Sequence, residues 1–270
     1  MTWTPAGPAW LFCPADRPER FAKASDRADV VILDLEDAVA PDRKKLAREA
    51  LIASTLDPER TAVRINRVGT ADWTADMKAL AASPFRTVLL AKCESEREVL
   101  DARLLSVIPM IETPRGVVAA AEILRSPNVI GVMWGAEDLA AGLGGTTSRG
   151  SDGRYLDPAR FVRAGVLVTA KAMGHFALDA VYADIDDVDG LSAEAAEAAS
   201  MGYDGKAVIH PLHVAPVRTA FRPSEQRLDW ARGVLAAANG QGGVFTFRGQ
   251  MVDEPVLGQA RRIVSRAEPS

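Results

Sequence analysis

Histidine and cysteine are scarce in this chain, with three of the first and two of the second among 270 residues. His175, His210 and His213, with no cysteine cluster, leave no ligand set for structural zinc. Cys13 and Cys93 suit a reducing compartment and exclude a disulfide framework. Any metal should therefore be a hard cation held by oxygen. A basic surplus is also missing: 36 acidic residues face 32 Lys and Arg, a net charge of −4. That balance argues against nucleic acid or an anionic membrane as partner. No apolar run approaches the roughly 20 residues of a membrane span. The opening M-T-W-T-P-A-G-P has neither the basic nor the apolar region of a signal peptide, so a cytoplasmic location is expected. The Gly142 to Gly150 stretch lacks Walker spacing and reads as a mobile rim, not a phosphate loop.

What the chain does contain is a repeated phrase. Val107, Ile108, Met110 and Ile111 form an apolar run that stops at Glu112, and Thr113-Pro114 then opens a helix. A second run ends at Gly135, with Glu137 and Asp138 at the mouth of the next helix. Glu112 and Asp138 thus stand at two buried strand ends that open the same way. The pair is a candidate site for a divalent cation; singly, each would be a helix N-terminal charge favoured by the dipole. Further runs occur at 9–13, 29–35, 61–65, 87–91, 176–181 and 206–209, each followed by a helical stretch. Eight such units in a chain near the ~250 residues of one barrel predict a (β/α)8 TIM barrel with its active face at the strand C-termini. A doubly wound open sheet is the alternative. The barrel is expected over 1–222. Residues 223–270 then form a C-terminal extension: a helix, a Gly-rich linker at Asn239 to Gly243, and a tail carrying Asp253.

The strand ends offer Glu36, Asp37, Arg64, Asn66, Lys92, Glu112, Asp138, Asp179 and His210. Unpaired buried ions are costly, so this many charges at one level point to a pocket for metal and anion. Arg64 lies between apolar Val63 and Ile65, and its fork suits a carboxylate. Lys92 reads equally as an enolate partner or an ion-pair partner of Glu36 and Asp37. His210 is open between a structural role and ligand contact, and Asp179 leans toward holding a network.

F-C-P-A-D-R-P-E-R-F, D-L-E-D-A-V, V-R-I-N, I-E-T-P-R-G, W-G-A-E-D-L, I-H-P and G-Q-M-V-D-E-P-V-L follow one another along the chain. In that order they resemble the citrate lyase β-chain-like proteins, which include malyl-CoA and citramalyl-CoA lyases. The resemblance implies a TIM barrel assembled as a homotrimer or hexamer. It implies Mg2+ on Glu112 and Asp138, with waters held by Glu36 and Asp37. It implies Arg64 on a 2-oxoacid, and Phe12, Arg17, Arg20 and Lys23 in the segment that meets coenzyme A; Lys92 and His210 are added to the substrate-binding candidates from their strand-end positions. Asp253 matches the acid/base carboxylate that relatives supply from the tail, often across a subunit boundary. Ala15 departs from the pattern, standing where many relatives carry Gly.

The implied function is an Mg2+-dependent carbon–carbon lyase. It would act on a 3-hydroxyacyl-CoA such as malyl-CoA or citramalyl-CoA, releasing an acyl-CoA and glyoxylate or pyruvate. The alternatives are a malyl-CoA thioesterase or malate synthase-like activity, a citrate lyase β subunit working with an acyl-carrier partner, and a non-catalytic CoA-binding regulatory protein.

Overall fold

The eight apolar runs close on themselves in the computed structural model of the chain, which describes residues 3–239 and 243–267. The strands are β1 (Ala9–Pro14), β2 (Val30–Asp34), β3 (Thr61–Ile65), β4 (Thr87–Leu90), β5 (Ser106–Ile111), β6 (Gly131–Trp134), β7 (Phe176–Asp179) and β8 (Gly205–Val208). Each pairs in parallel with the next, and β8 returns to β1 with Trp10 opposite Ala207. The barrel expectation therefore holds and the open sheet does not. At the seam the amide of Lys206 donates to the Pro8 carbonyl at 2.8 Å. A Cβ on Gly205 would lie 2.6 Å from that carbonyl, so only glycine lets the two strands meet there.

Alternation along the strands fills the barrel. Trp10, Ile32, Ala62, Leu89, Ile108, Met110, Met133, Leu178 and Ala207, drawn from all eight strands, form one buried cluster. That is the packed interior of a (β/α)8 barrel, not a pore. Trp3 and Phe176 add to it, each with its ring centroid within 6 Å of Trp10's. The neighbouring strand positions face the helices α1 (Phe21–Arg27), α2 (Lys44–Ala53), α3 (Ala71–Ala81), α4 (Glu96–Asp101), α5 (Pro114–Ile123), α6 (Ala136–Gly142), α7 (Asp157–Ala172) and α8 (Val188–Met201). Local chemistry starts several of these. The Thr113 hydroxyl accepts from the Gly116 amide ahead of α5, and Thr70 and Ser95 do the same for α3 and α4.

The described residues divide into two compact units between Arg218 and Thr219. Helix α9 (Val214–Phe221) contains the division. The second unit holds α10 (Glu225–Ala238), the antiparallel strands β9 (Phe245–Phe247) and β10 (Gln250–Val252), and α11 (Glu254–Ala267). Its core is Ala231, Val234, Val252, Ala260 and Ile263. The hairpin turns on two left-handed residues, Arg248 and Gly249, as a two-residue turn requires. The sequence reading left the residues after Asp253 as a tail; they form α11, with Leu257, Ala260 and Val264 at helical spacing against α10. Of the expected linker, residues 240–242 lie outside the described residues. Among the described residues no helix is long and apolar enough to cross a membrane.

Candidate active site at the barrel mouth

The alternation that fills the barrel also selects the side chains at its C-terminal mouth. Two residues beyond the inward Trp10, Ile32, Ala62 and Met110 come Phe12, Asp34, Arg64 and Glu112. They share the inward phase at the strand ends, where such barrels carry their chemistry.

Asp34 and Arg64 are register partners across β2 and β3. Arg64 donates from Nε to Asp34 Oδ1 at 2.7 Å and from Nη2 to Oδ2 at 2.5 Å. Its Nη1 lies 3.1 Å from Glu36 Oε2, and its guanidinium sits 4.8 Å above the Phe12 ring. Burial works against the charge of Arg64, but Asp34 and Glu36 outweigh it and keep the guanidinium firmly protonated. The fork expected to grip a substrate is therefore already held from behind. Asp34 takes two of the five N–H groups of Arg64 and Glu36 lies against Nη1, so a ligand would meet only the remaining N–H groups of Nη1 and Nη2.

Lys92 follows β4 in a left-handed conformation, φ 51°, a strained geometry for a side-chain-bearing residue. Its amide donates to Glu112 Oε1 at 2.8 Å. Its Nζ donates to Glu36 and, at 2.9 Å, to Asp37, and lies 3.4 Å from Asp138 Oδ1. Burial would lower the ammonium's pKa, but the bonds to Glu36 and Asp37 hold it above its ordinary value. Glu36 is shifted up by burial, against the pull of Arg64 and Lys92; Asp37 is drawn down by Lys92. Lys92 is thus an ion-pair partner of Glu36 and Asp37.

Glu112 is almost completely buried, and its carboxyl is pushed up to about 7 by that burial and by the Asp138 charge. It does not cap the following helix, since Thr113 does. Gly135 is needed beside it: a Cβ there would lie 2.6 Å from Glu112 Oε2. A buried carboxylate facing a second one with this clearance has the donor chemistry for a hard cation. Among the described residues no group of three or more His, Cys, Asp or Glu is placed to hold a metal, so water and substrate oxygens would complete any shell around the pair.

Other expected mouth residues are engaged elsewhere. Asn66 is buried, donating to Asp76 and to the Leu35 carbonyl and accepting from Lys44. Asp179 is out of phase with inward Leu178. It accepts from Trp134 Nε1 at 2.8 Å, from Arg163 of α7 and from fully buried Lys206. It holds a network, and both residues leave the list of pocket candidates for this reason. His210 accepts the Leu212 amide on Nδ1 at 3.3 Å, a local cap. Arg17, Arg20 and Lys23 are exposed around the start of α1, with Arg17 3.9 Å from buried Asp16. In the second unit Asp253 caps α11 through the Val256 amide at 3.2 Å. There it lines an open hollow of about 730 Å3 with Leu235, Phe245, Leu257 and Arg261.

Two features escaped the sequence reading. Asp34 is one, although it is in phase with Arg64 and Glu112. The other is Ser148, whose hydroxyl donates to Glu137 at 2.6 Å and ties the long loop before α7 to the start of α6.

With this geometry in view, the profile of the HpcH/HpaI aldolase/citrate lyase family matches residues 9–211. The chain belongs to that family. A profile described as a C–C bond lyase of the TIM-barrel fold matches residues 158–269. The family is one of carbon–carbon lyases, and this chain is an enzyme of that class. It is 55% identical to a citrate lyase subunit beta-like protein of Mycobacterium tuberculosis, covering 99% of this chain and 98% of the relative. A citramalyl-CoA lyase from Mus musculus mitochondria is 33% identical over 96% of this chain and 85% of its own length. The structure of M. tuberculosis CitE in complex with magnesium, acetoacetate and coenzyme A superposes with a TM-score of 0.94 at 55% identity, covering 97% and 98% of the two chains.

Proposed function

We propose that this lyase is Mg2+-dependent and cleaves, or in reverse forms, a 3-hydroxyacyl-CoA bearing a distal carboxylate. The products are an acyl-CoA and a 2-oxoacid, glyoxylate or pyruvate. The observation that carries the reading is that buried Glu112 stands within the electrostatic reach of both Asp138 and Arg64 at the barrel mouth. A hard-cation site and an anion grip side by side suit a 2-oxoacid. That a relative of 55% identity holds magnesium, acetoacetate and coenzyme A together supports it.

Glu112 and Asp138 would hold the metal, with Glu36 and Asp37 the carboxylates that would receive its waters. Magnesium, when bound, supplies a Lewis acid for the oxygen that becomes the carbonyl. Arg64 binds the oxoacid carboxylate through its Nη1 and Nη2 edge and balances charge developing there. Lys92, held over Glu36 and Asp37, limits repulsion among the carboxylates and sits beside the substrate with His210. Phe12, Arg17, Arg20 and Lys23 receive coenzyme A, the exposed cations meeting its phosphates. As the substrate hydroxyl gives its proton to solvent and becomes the oxoacid carbonyl, the electron pair of the carbon–carbon bond passes to the acyl-CoA enolate, and Asp253 delivers a proton to the enolate carbon. In this reading residues 223–270 are an extension that packs at a subunit interface of a homotrimer or hexamer and brings Asp253 to a neighbour's barrel. Val118 on α5 and Phe161 on α7, adjacent helices, are 90% and 72% exposed, apolar surface that suits such an assembly.

The test is a panel of 3-hydroxyacyl-CoAs, and of acyl-CoAs with 2-oxoacids, incubated with Mg2+ and read by product mass. Paired acyl-CoA and oxoacid products are expected. Free CoA with the hydroxy acid intact would mark a thioesterase instead. Turnover only on addition of an acyl-carrier protein would mark a citrate lyase β-type subunit.

A further inference from the structure

We infer that Asp34 is a positioning residue for the oxoacid: it sets the plane of Arg64 and the turn that carries Glu36 and Asp37. The inference rests on the proposed role of Arg64. Asp34 is fully buried and both of its oxygens are committed. Oδ1 accepts from Arg64 Nε at 2.7 Å and from the Glu36 amide at 2.9 Å. Oδ2 accepts from Arg64 Nη2 at 2.5 Å and from the Ala38 amide at 3.2 Å. With four donors engaged and no exposed surface, Asp34 touches no substrate and acts only through its neighbours.

Those neighbours face the chemistry. The two parallel bonds fix the guanidinium in the carboxylate plane, as a single contact would not. The N–H groups of Arg64 that Asp34 does not take are thereby held in one fixed plane, on a side chain that is 12% exposed. The amides of Glu36 and Ala38 bracket Asp37, so the same carboxylate also fixes the turn from which Glu36 and Asp37 hold Lys92. One buried group therefore sets the spacing between the anion grip and the acidic cluster.

Asparagine has nearly the same shape but cannot do this. Whichever way its amide is turned, the NH2 meets one Arg64 N–H and one backbone N–H, donor against donor. Arg64 would then turn toward Glu36, whose carboxylate is 3.1 Å away.

The experiment measures pyruvate, Mg2+ and coenzyme A binding by calorimetry, with pyruvate titrated in the presence of Mg2+. The proteins are the full-length wild type, Asp34→Asn, Arg64→Gln and the double variant. Asp34→Asn should weaken pyruvate binding tenfold or more, lower Mg2+ affinity by less than that through the loosened Glu36–Asp37 turn, and leave coenzyme A affinity within twofold. The double variant should bind pyruvate no worse than Arg64→Gln alone, because a residue acting through Arg64 has nothing left to position. If Asp34→Asn fails to fold, Asp34→Glu keeps the charge and the acceptors but displaces the guanidinium, and should show the same selective loss. Pyruvate binding within twofold of wild type in a folded Asp34 variant, or losses that add in the double variant, overturns the inference. Unchanged pyruvate binding in Arg64→Gln would instead remove the reading of Arg64 on which it rests.

Discussion

The amide of Lys92 donates to Glu112 from a left-handed backbone, so the strained residue after β4 is also the one that seats the buried carboxylate of β5. Strain of this kind persists where the surroundings over-determine it. Lys92→Ala should keep the strain and lose the ammonium; Lys92→Gly should lose both. The glycine variant is therefore expected to be the more stable of the two by about 1 kcal/mol in urea unfolding. Equal stabilities would show that the conformation is not strained.

Glu112 predicts a pH dependence. Its carboxyl, ordinarily near 4.5, is pushed up to about 7 in the metal-free fold. The folded state then holds a proton that the unfolded chain has released. The stabilisation is fully present below about 4.5 and is lost as pH rises through 7, a difference of ~3 kcal/mol. Metal-free protein should melt at a lower temperature at pH 8 than at pH 5, and Glu112→Gln should flatten this part of the profile. On the proposed ligand set, Mg2+ must displace that proton, so its affinity should weaken below pH 7.

Arg64→Lys keeps a charge but cannot hold both oxygens of Asp34 and still present an edge to a ligand. Turnover should fall on the order of a hundredfold or more, about 2.7–4 kcal/mol, comparable to losing one oxyanion donor. Steady-state kinetics with the active acyl-CoA and oxoacid pair checks this. Near-normal kcat and oxoacid KM would leave Arg64 a structural residue only.

Asp253 caps α11, and asparagine is an equally good cap. Asp253→Asn should therefore fold normally and bind Mg2+ and coenzyme A while losing turnover. Mixed with inactive Glu112→Gln under conditions that exchange subunits, it should recover part of the activity, since a hybrid interface pairs an intact metal site with an intact Asp253. Verified hybrids that stay inactive would confine Asp253 to its own chain's site or remove it from the chemistry.

The barrel was legible because its strands announce themselves locally. β3 begins and ends where its apolar run does, and β5 ends where its own does. Glu112, Arg64 and Lys92 were legible as charges at strand ends. Which of the strand-end groups turn inward was not, because that depends on phase along the strand and on partners distant in sequence. Asp179 and Asn66 look like mouth residues in one dimension, yet their partners Lys206 and Asp76 draw them into the wall. Asp34 was hidden for the opposite reason: beside Glu36 and Asp37 it reads as one more acid, and only its pairing with Arg64 singles it out. Helix α11 went unread because its periodic residues follow a strand-like start and a proline.

The seam between β1 and β8 bears on how the chain is made. Trp10 finds its second neighbour in Ala207, so the first strand leaves the ribosome with one edge unsatisfied until the eighth has followed. At ordinary translation speeds that interval is about 10–40 s. Throughout it, a short apolar strand with open backbone donors and acceptors must be kept from pairing with other nascent chains. Slow or stalled translation between Trp10 and Ala207 prolongs that exposure.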